Sequence, residues 1–226
     1  MLAAERQLIC DIPTYYEKQD LDPDCHIVGP LFSRPEEVEV DSRIAELLSD
    51  DRSTRVFVVM GSSGERRYLQ EAAKAVMNGG FKAVIVAPAS VGGRRGIESV
   101  QPIPNNVYVT EAFVPSHLIS PMADVTLIHG GQGTVQTAVH SGTPFVGVAM
   151  QAEQQYNLDN AVTQGAGIRI PRRFWEASRI RKAIRRIRET SRYKDCAAAL
   201  KICCEATDAR RRAVEIIRDF VAQKVI

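Results

Sequence analysis

From Arg55 onward the chain repeats one pattern: a short uninterrupted apolar run, a glycine-punctuated turn, then residues at helical spacing. The runs are Val56-Phe57-Val58-Val59-Met60, Ala83-Val84-Ile85-Val86, Val107-Tyr108-Val109, Val125-Thr126-Leu127-Ile128, Phe145-Val146-Gly147-Val148 and Ile168 to Ile170. Strands without polar alternation belong to sheets covered on both faces, which is the condition of parallel sheets. Between the runs, Arg66 to Asn78 stops at Gly79-Gly80, Thr134 to Ser141 at Gly142, and Gln154 to Gln164 at Gly165. Each is a helix with glycine just past its end. Alternation of this kind, with right-handed crossovers, predicts an α/β fold: a Rossmann-like, doubly wound parallel sheet of about six strands with helices on both faces. Ala177, Ile180, Ile184 and Ile187, then Val214, Ile217 and Val221, repeat at helical spacing and predict a helical tail. The stretch around Gly92-Gly93-Arg94-Arg95-Gly96 reads as a long irregular loop.

The first fifty residues differ. Asp11-Ile12-Pro13, Asp22-Pro23-Asp24, Gly29-Pro30 and Arg34-Pro35 leave no room for a long element before Asp41, and Ser42 to Ser49 then offers a short amphipathic helix. Residues 1–52 read as a connecting segment with the remnant of a preceding domain, and 53–226 as the main domain. A net charge of +2 is too small to argue for nucleic acid. No apolar run reaches the ~18 residues of a spanning helix, and the amino terminus lacks the parts of a signal peptide. Cys10, Cys25, Cys196, Cys203 and Cys204 form no CxxC pair, so reduced thiols in a cytoplasmic protein are expected, without a metal site. Arg172, Arg173, Arg179, Arg181, Lys182, Arg185, Arg186 and Arg188 lie opposite an isoleucine stripe. They read as a solvated helix face, with a partner or membrane surface as the alternative.

Ligands on doubly wound sheets bind at the carboxyl ends of the strands. Three loops fall there: Gly61-Ser62, His129-Gly130-Gly131-Gln132-Gly133-Thr134, and Glu153-Gln154 with Asn157 one turn on. A diphosphate needs several donors converging without side-chain bulk, which glycine amides at a helix start provide. The same residues also fit a tight strand-to-helix turn with a structural histidine. Glu153 and Gln154 either cap their helix or bridge neighbouring sugar hydroxyls.

The order and spacing of Ala123-Asp124, the strand to Ile128, His129 to Thr134, Gly142-Thr143-Pro144, Glu153-Gln154, Asn157 and Gly165-Ala166-Gly167 carry a family likeness. They resemble the donor-binding half of GT-B-fold nucleotide-sugar glycosyltransferases, the macrolide and natural-product enzymes with their UDP-glucuronosyl relatives. The resemblance covers roughly Ile27 to Val221, with His26 to Leu31 similar to the interdomain linker. It implies that Gly61, Ser62, His129, Gly131, Gly133 and Thr134 hold the diphosphate of a UDP- or TDP-hexose. It implies further that backbone at Val114-Pro115 reads the nucleobase, that Glu153 and Gln154 hold the donor sugar, and that Asn157 supports the loop or the phosphates. Ser116 stands where the family commonly has glutamine, and Ala149 where it has proline. The implied reaction is inverting transfer to an acceptor hydroxyl, without cofactor or metal. Family members are about twice as long, and their amino-terminal acceptor domain supplies the catalytic base. None of His26, His117, His129 or His140 matches that base, so no catalytic residue is expected here, and the acceptor domain is an expected partner, in cis or as a separate chain. The alternatives are a non-catalytic nucleotide-sugar-binding module and a sugar-nucleotide epimerase-like enzyme.

Overall fold

The computed structural model describes residues 5–17, 19–31, 38–50, 52–61 and 65–224. It begins with two short strands, β1 (Gln7–Ile9) and β2 (Cys25–Ile27), paired in parallel with Ile9 opposite Ile27. Helix α1 (Ser42–Ser49) leads to β3 (Arg55–Val59), α2 (Arg66–Gly79), β4 (Lys82–Val86), α3 (Gly93–Glu98) and β5 (Val107–Thr110). Then come α4 (Ser116–Ile119), β6 (Val125–Ile128), α5 (Gln132–Ser141), β7 (Phe145–Gly147), α6 (Ala152–Thr163) and β8 (Gly167–Arg169). Helices α7 (Ala177–Glu189), α8 (Ser191–Glu205) and α9 (Ala209–Lys224) close the described chain. No helix among the described residues is long and apolar enough to cross a membrane.

Strands β3 to β8 form one parallel sheet in the order β5-β4-β3-β6-β7-β8. The chain winds outward from β3 through β4 to β5, then returns to place β6 on the other side of β3. That reversal opens a crevice at the carboxyl ends of β3 and β6. The period of two along each strand divides the core. Val56 and Val58 face α2 and α7, where Ile180 and Ile184 are buried, whereas Phe57 faces Ile44 and Leu48 of α1 and Ile119 of α4. Ile128 and Phe145 face Val135, Val139, Leu158 and Leu200 of α5, α6 and α8. Helices therefore cover both faces, as the uninterrupted apolar strands require.

Helix α1 packs on the sheet that follows it. The Tyr108 hydroxyl donates to Asp41 at 3.1 Å, and Asp50 pairs with Lys82 at 2.8 Å, so α1 is tied to the sheet. Further upstream, Ile12 and Tyr15 enter the core formed by α5, α6 and α8. The side-chain amides of Gln132 and Gln136 both donate to the Cys10 carbonyl, at 3.2 and 2.8 Å.

The stretch read as an irregular loop contains a helix, α3, and this corrects the sequence reading. Its start is held from a distance: Glu111 Oε1 accepts from the Arg94 amide at 2.6 Å, and Arg94 pairs with Glu98 at 2.7 Å. An acid at a helix start supplies an acceptor for orphan amides and complements the dipole. Local composition, two glycines followed by two arginines, shows none of this.

Candidate functional site

Val59 of β3 lies opposite Ile128 of β6, so the chain leaves both strands side by side at the crevice. Gly61 follows one strand with φ +69°, and His129-Gly130-Gly131 follows the other, with Gly130 at φ +83°. Ser62 lies outside the described residues. The imidazole of His129 is wedged between the two turns. A Cβ on Gly61 would sit 2.6 Å from its Cε1, and a Cβ on Gly131 would sit 2.6 Å from its Nε2. At both positions a side chain would therefore have to displace the His129 ring, before any ligand is considered. Gly133 differs, because a Cβ there would meet nothing within 4 Å.

Helix α5 begins at this turn and points its first amides at the crevice. Those of Gln132 and Gly133 have no intrahelical partner, as at any helix start. Thr134 is committed otherwise: its amide and its hydroxyl both donate to the Gly131 carbonyl, at 3.0 and 2.8 Å. Between α5 and the loop before α4 lies a cavity of about 470 Å³, lined by Gly61, Val114, His129, Gly131, Gly133 and Thr134 among others. Six of the residues picked from sequence therefore surround one space. Val114 is buried, its carbonyl accepting from the Ser116 amide at 2.8 Å. Pro115 caps α4 beside the cavity without lining it.

Glu153, Gln154 and Asn157 do not line this cavity. They stand on the first turns of α6 and are linked to its wall through backbone. Asn157 is buried, and its Nδ2 donates to the Gly130 carbonyl at 3.1 Å and to the Glu153 carboxylate. Gln154 is turned inward, its Oε1 accepting from the Met150 amide at 2.9 Å. Glu153 is exposed.

Burial pushes His129 below the ordinary imidazole pKa, while the Glu153 carboxylate and the Val59 carbonyl pull the other way. Its Nδ1 is buried without a hydrogen-bond partner among the described residues. So are the hydroxyls of Ser120 and Thr126, two residues that also line the cavity. Sequence reasoning missed both. Thr126 sits inside an apolar strand run and Ser120 inside a helical turn, where neither carries a signal. Phe113, which opens the Phe113-Val114-Pro115 segment likened to the nucleobase-reading one but was given no side-chain role, is 82% exposed and lines the cavity.

The switch-point cavity and its parallel sheet define a class. Among solved structures, the glycotransferase of kitacinnamycin matches with a TM-score of 0.76 at 21% identity, over 95% of this chain and 55% of that one. The spinosyn rhamnosyltransferase complexed with thymidine diphosphate matches with a TM-score of 0.73 at 19% identity, over 94% of this chain and 57% of that one. At such identity the likeness is one of fold: this is the architecture of one half of a GT-B glycosyltransferase.

Residues 78–222 match the family described as "Erythromycin biosynthesis protein CIII-like, C-terminal domain", and the chain belongs to that family. The 4'-demethylrebeccamycin synthase of Lentzea aerocolonigenes is 29% identical over 226 residues, 98% of this chain and 51% of the relative. A PGL/p-HBAD biosynthesis rhamnosyltransferase of Mycobacterium bovis (strain BCG / Pasteur 1173P2) is 26% identical over 196 residues, 87% of this chain and 41% of the relative. The chain spans about half the length of the curated relatives it matches.

Proposed function

We propose that this chain is the donor-binding half of a glycosyltransferase that takes a nucleotide-diphosphate hexose and passes the sugar to an acceptor hydroxyl with inversion. The observation that carries the reading is the convergence of the Gly61 turn, the His129 ring and the start of α5 on one cavity at the sheet's switch point. The amides of Gln132 and Gly133, with the dipole of α5, form a ready-made anion site. In the reaction the acceptor oxygen bonds to the anomeric carbon as its bond to the diphosphate oxygen breaks. The negative charge released falls on those amides and on His129, a preorganised stabilisation of the leaving group that needs no metal. In this reading Glu153 accepts from sugar hydroxyls. Its side chain is fixed by Asn157, which ties it to the same turn that would hold the phosphates.

Deprotonation of the acceptor falls to a second domain. The family and the half-length match support such a partner, and so does the last helix. Val214, Ile217 and Val221 form an apolar stripe along α9 that is about half exposed, at 46%, 51% and 53%. In this reading the acceptor-binding domain covers that stripe.

A ligand that binds only the folded state stabilises it by about 2.7 kcal/mol at a hundred times its Kd. The test is a thermal-shift series with UDP, TDP, ADP and phosphate. UDP or TDP should raise Tm, and His129→Ala should weaken binding by roughly tenfold or more, the loss of one charge-assisted hydrogen bond. No shift with any nucleotide at millimolar concentration would sink the reading.

A further inference from the structure

Between Arg172 and Arg192 the chain carries nine Lys or Arg against two Glu, although its net charge is only +2. The remainder is therefore net acidic, and the positive charge is concentrated on α7 and the turn before it. None of Arg172, Arg173, Arg179, Arg181, Lys182, Arg185 or Arg186 forms an ion pair with another described residue, whereas cations elsewhere do so repeatedly. Ion pairing would have been easy to place, since Glu176 and Glu189 bracket the helix. Ser178, Arg181, Lys182, Arg185, Arg186 and Thr190, with one acid, Glu189, instead border an open hollow of about 510 Å³.

The inner side of α7 is committed, with Ile180, Ala183, Ile184 and Ile187 buried in the core. The helix cannot roll over to insert an apolar face. Its outer side holds no asparagine, glutamine or free aromatic able to read base edges or seat in a protein pocket. The nearest ring, Phe174, lies under the guanidinium groups of Arg173 and Arg179, each 4.6 Å from its centroid. What remains is an array of cations that form no ion pair with another described residue. That suits a partner whose anions rearrange to meet it, as the headgroups of an anionic bilayer do.

We infer that α7 and the Arg172–Phe174 turn form an electrostatic docking face for an anionic lipid surface. The turn follows β8 at the carboxyl edge of the sheet, and α7 packs on the face of Val56 and Val58, opposite the Phe57 face that lines the cavity, so docking there leaves the crevice uncovered. This inference does not depend on the proposed reaction.

The test is co-sedimentation of the 226-residue chain with vesicles of phosphatidylcholine alone and of equimolar phosphatidylcholine and phosphatidylglycerol. Binding should appear only with the anionic vesicles and be lost between about 0.1 M and about 1 M salt, as the screening length falls from about 10 Å to about 3 Å. Replacing three exposed cations, K182Q/R185Q/R186Q, should lower the partition coefficient by roughly a hundredfold while Tm stays put. R210Q/R212Q, which removes exposed charge from α9 instead, should change it by less than about threefold. Equal binding to neutral vesicles, equal loss in the α9 variant, or tighter binding to a random DNA duplex at the same salt would each overturn the inference.

Discussion

Two glycines from different loops, Gly61 and Gly131, flank one imidazole, whereas a Cβ on the third glycine of the motif, Gly133, would meet nothing within 4 Å. The three positions therefore answer differently to the same substitution. Gly131→Ala forces a methyl into the His129 ring and should cost about 1–3 kcal/mol of stability. Gly133→Ala should leave Tm unchanged or slightly raised, since alanine is the better helix former by up to about 1 kcal/mol. If the cavity takes a diphosphate against the α5 amides, Gly133→Ala should nonetheless weaken UDP or TDP binding in calorimetry, separating site from scaffold. Protonation of His129 gives a second handle. Burial depresses its folded-state pKa, so its stability contribution is present above the unfolded value of about 6.5 and is lost as pH falls below that through the folded value. A bound diphosphate favours the cationic ring, so nucleotide-induced shifts in Tm should grow as pH drops from about 8 to about 6. His129→Gln should flatten that trend, and identical profiles in both proteins would remove His129 from the site.

The helices differ in what holds them, and that decides what the sequence could reveal. Helix α7 is carried by its own spacing: Ile180, Ile184 and Ile187 appear as a stripe and are buried as one. Ile184→Ala should cost about 2–5 kcal/mol in denaturant unfolding, with Ile184→Val nearer 1 kcal/mol. The buried Trp175 indole donates to the Tyr68 carbonyl at 3.0 Å and fixes α7 against α2, a contact across 107 residues that no window of sequence contains. Helix α3 was illegible for the same reason, because its cap comes from Glu111. The strands and the glycine turns were legible because burial on both faces and positive φ each demand particular residue types locally. The motif spacing also placed Gly61, Val114, His129 and Gly131 on one cavity edge. It could not show that Asn157 spends its amide on Gly130 and Glu153, nor that Thr134 turns back on Gly131. Those depend on rotamers set by neighbours, not on residue order.

Taken whole, the molecule has a closed core and an unfinished exterior. The α9 stripe should make the chain by itself associate weakly as its concentration rises, visible in sedimentation velocity. V214S/I217S/V221S should keep it monomeric without loss of helix, and an unchanged association would place the sticky surface elsewhere. The reversal of strand order between β3 and β6 has a kinetic consequence as well. Arg55 and Asp124, 69 residues apart, are joined by backbone and side-chain hydrogen bonds at the opposite edge of the same strand pair whose far ends cradle His129. The crevice therefore has no local precursor: it exists only after two separately wound halves have closed on each other. Loop closure over such a span precedes any reward from the contacts it makes. In refolding, recovery of nucleotide binding should trail the return of helical signal, which makes the ligand a reporter of the last seam to close.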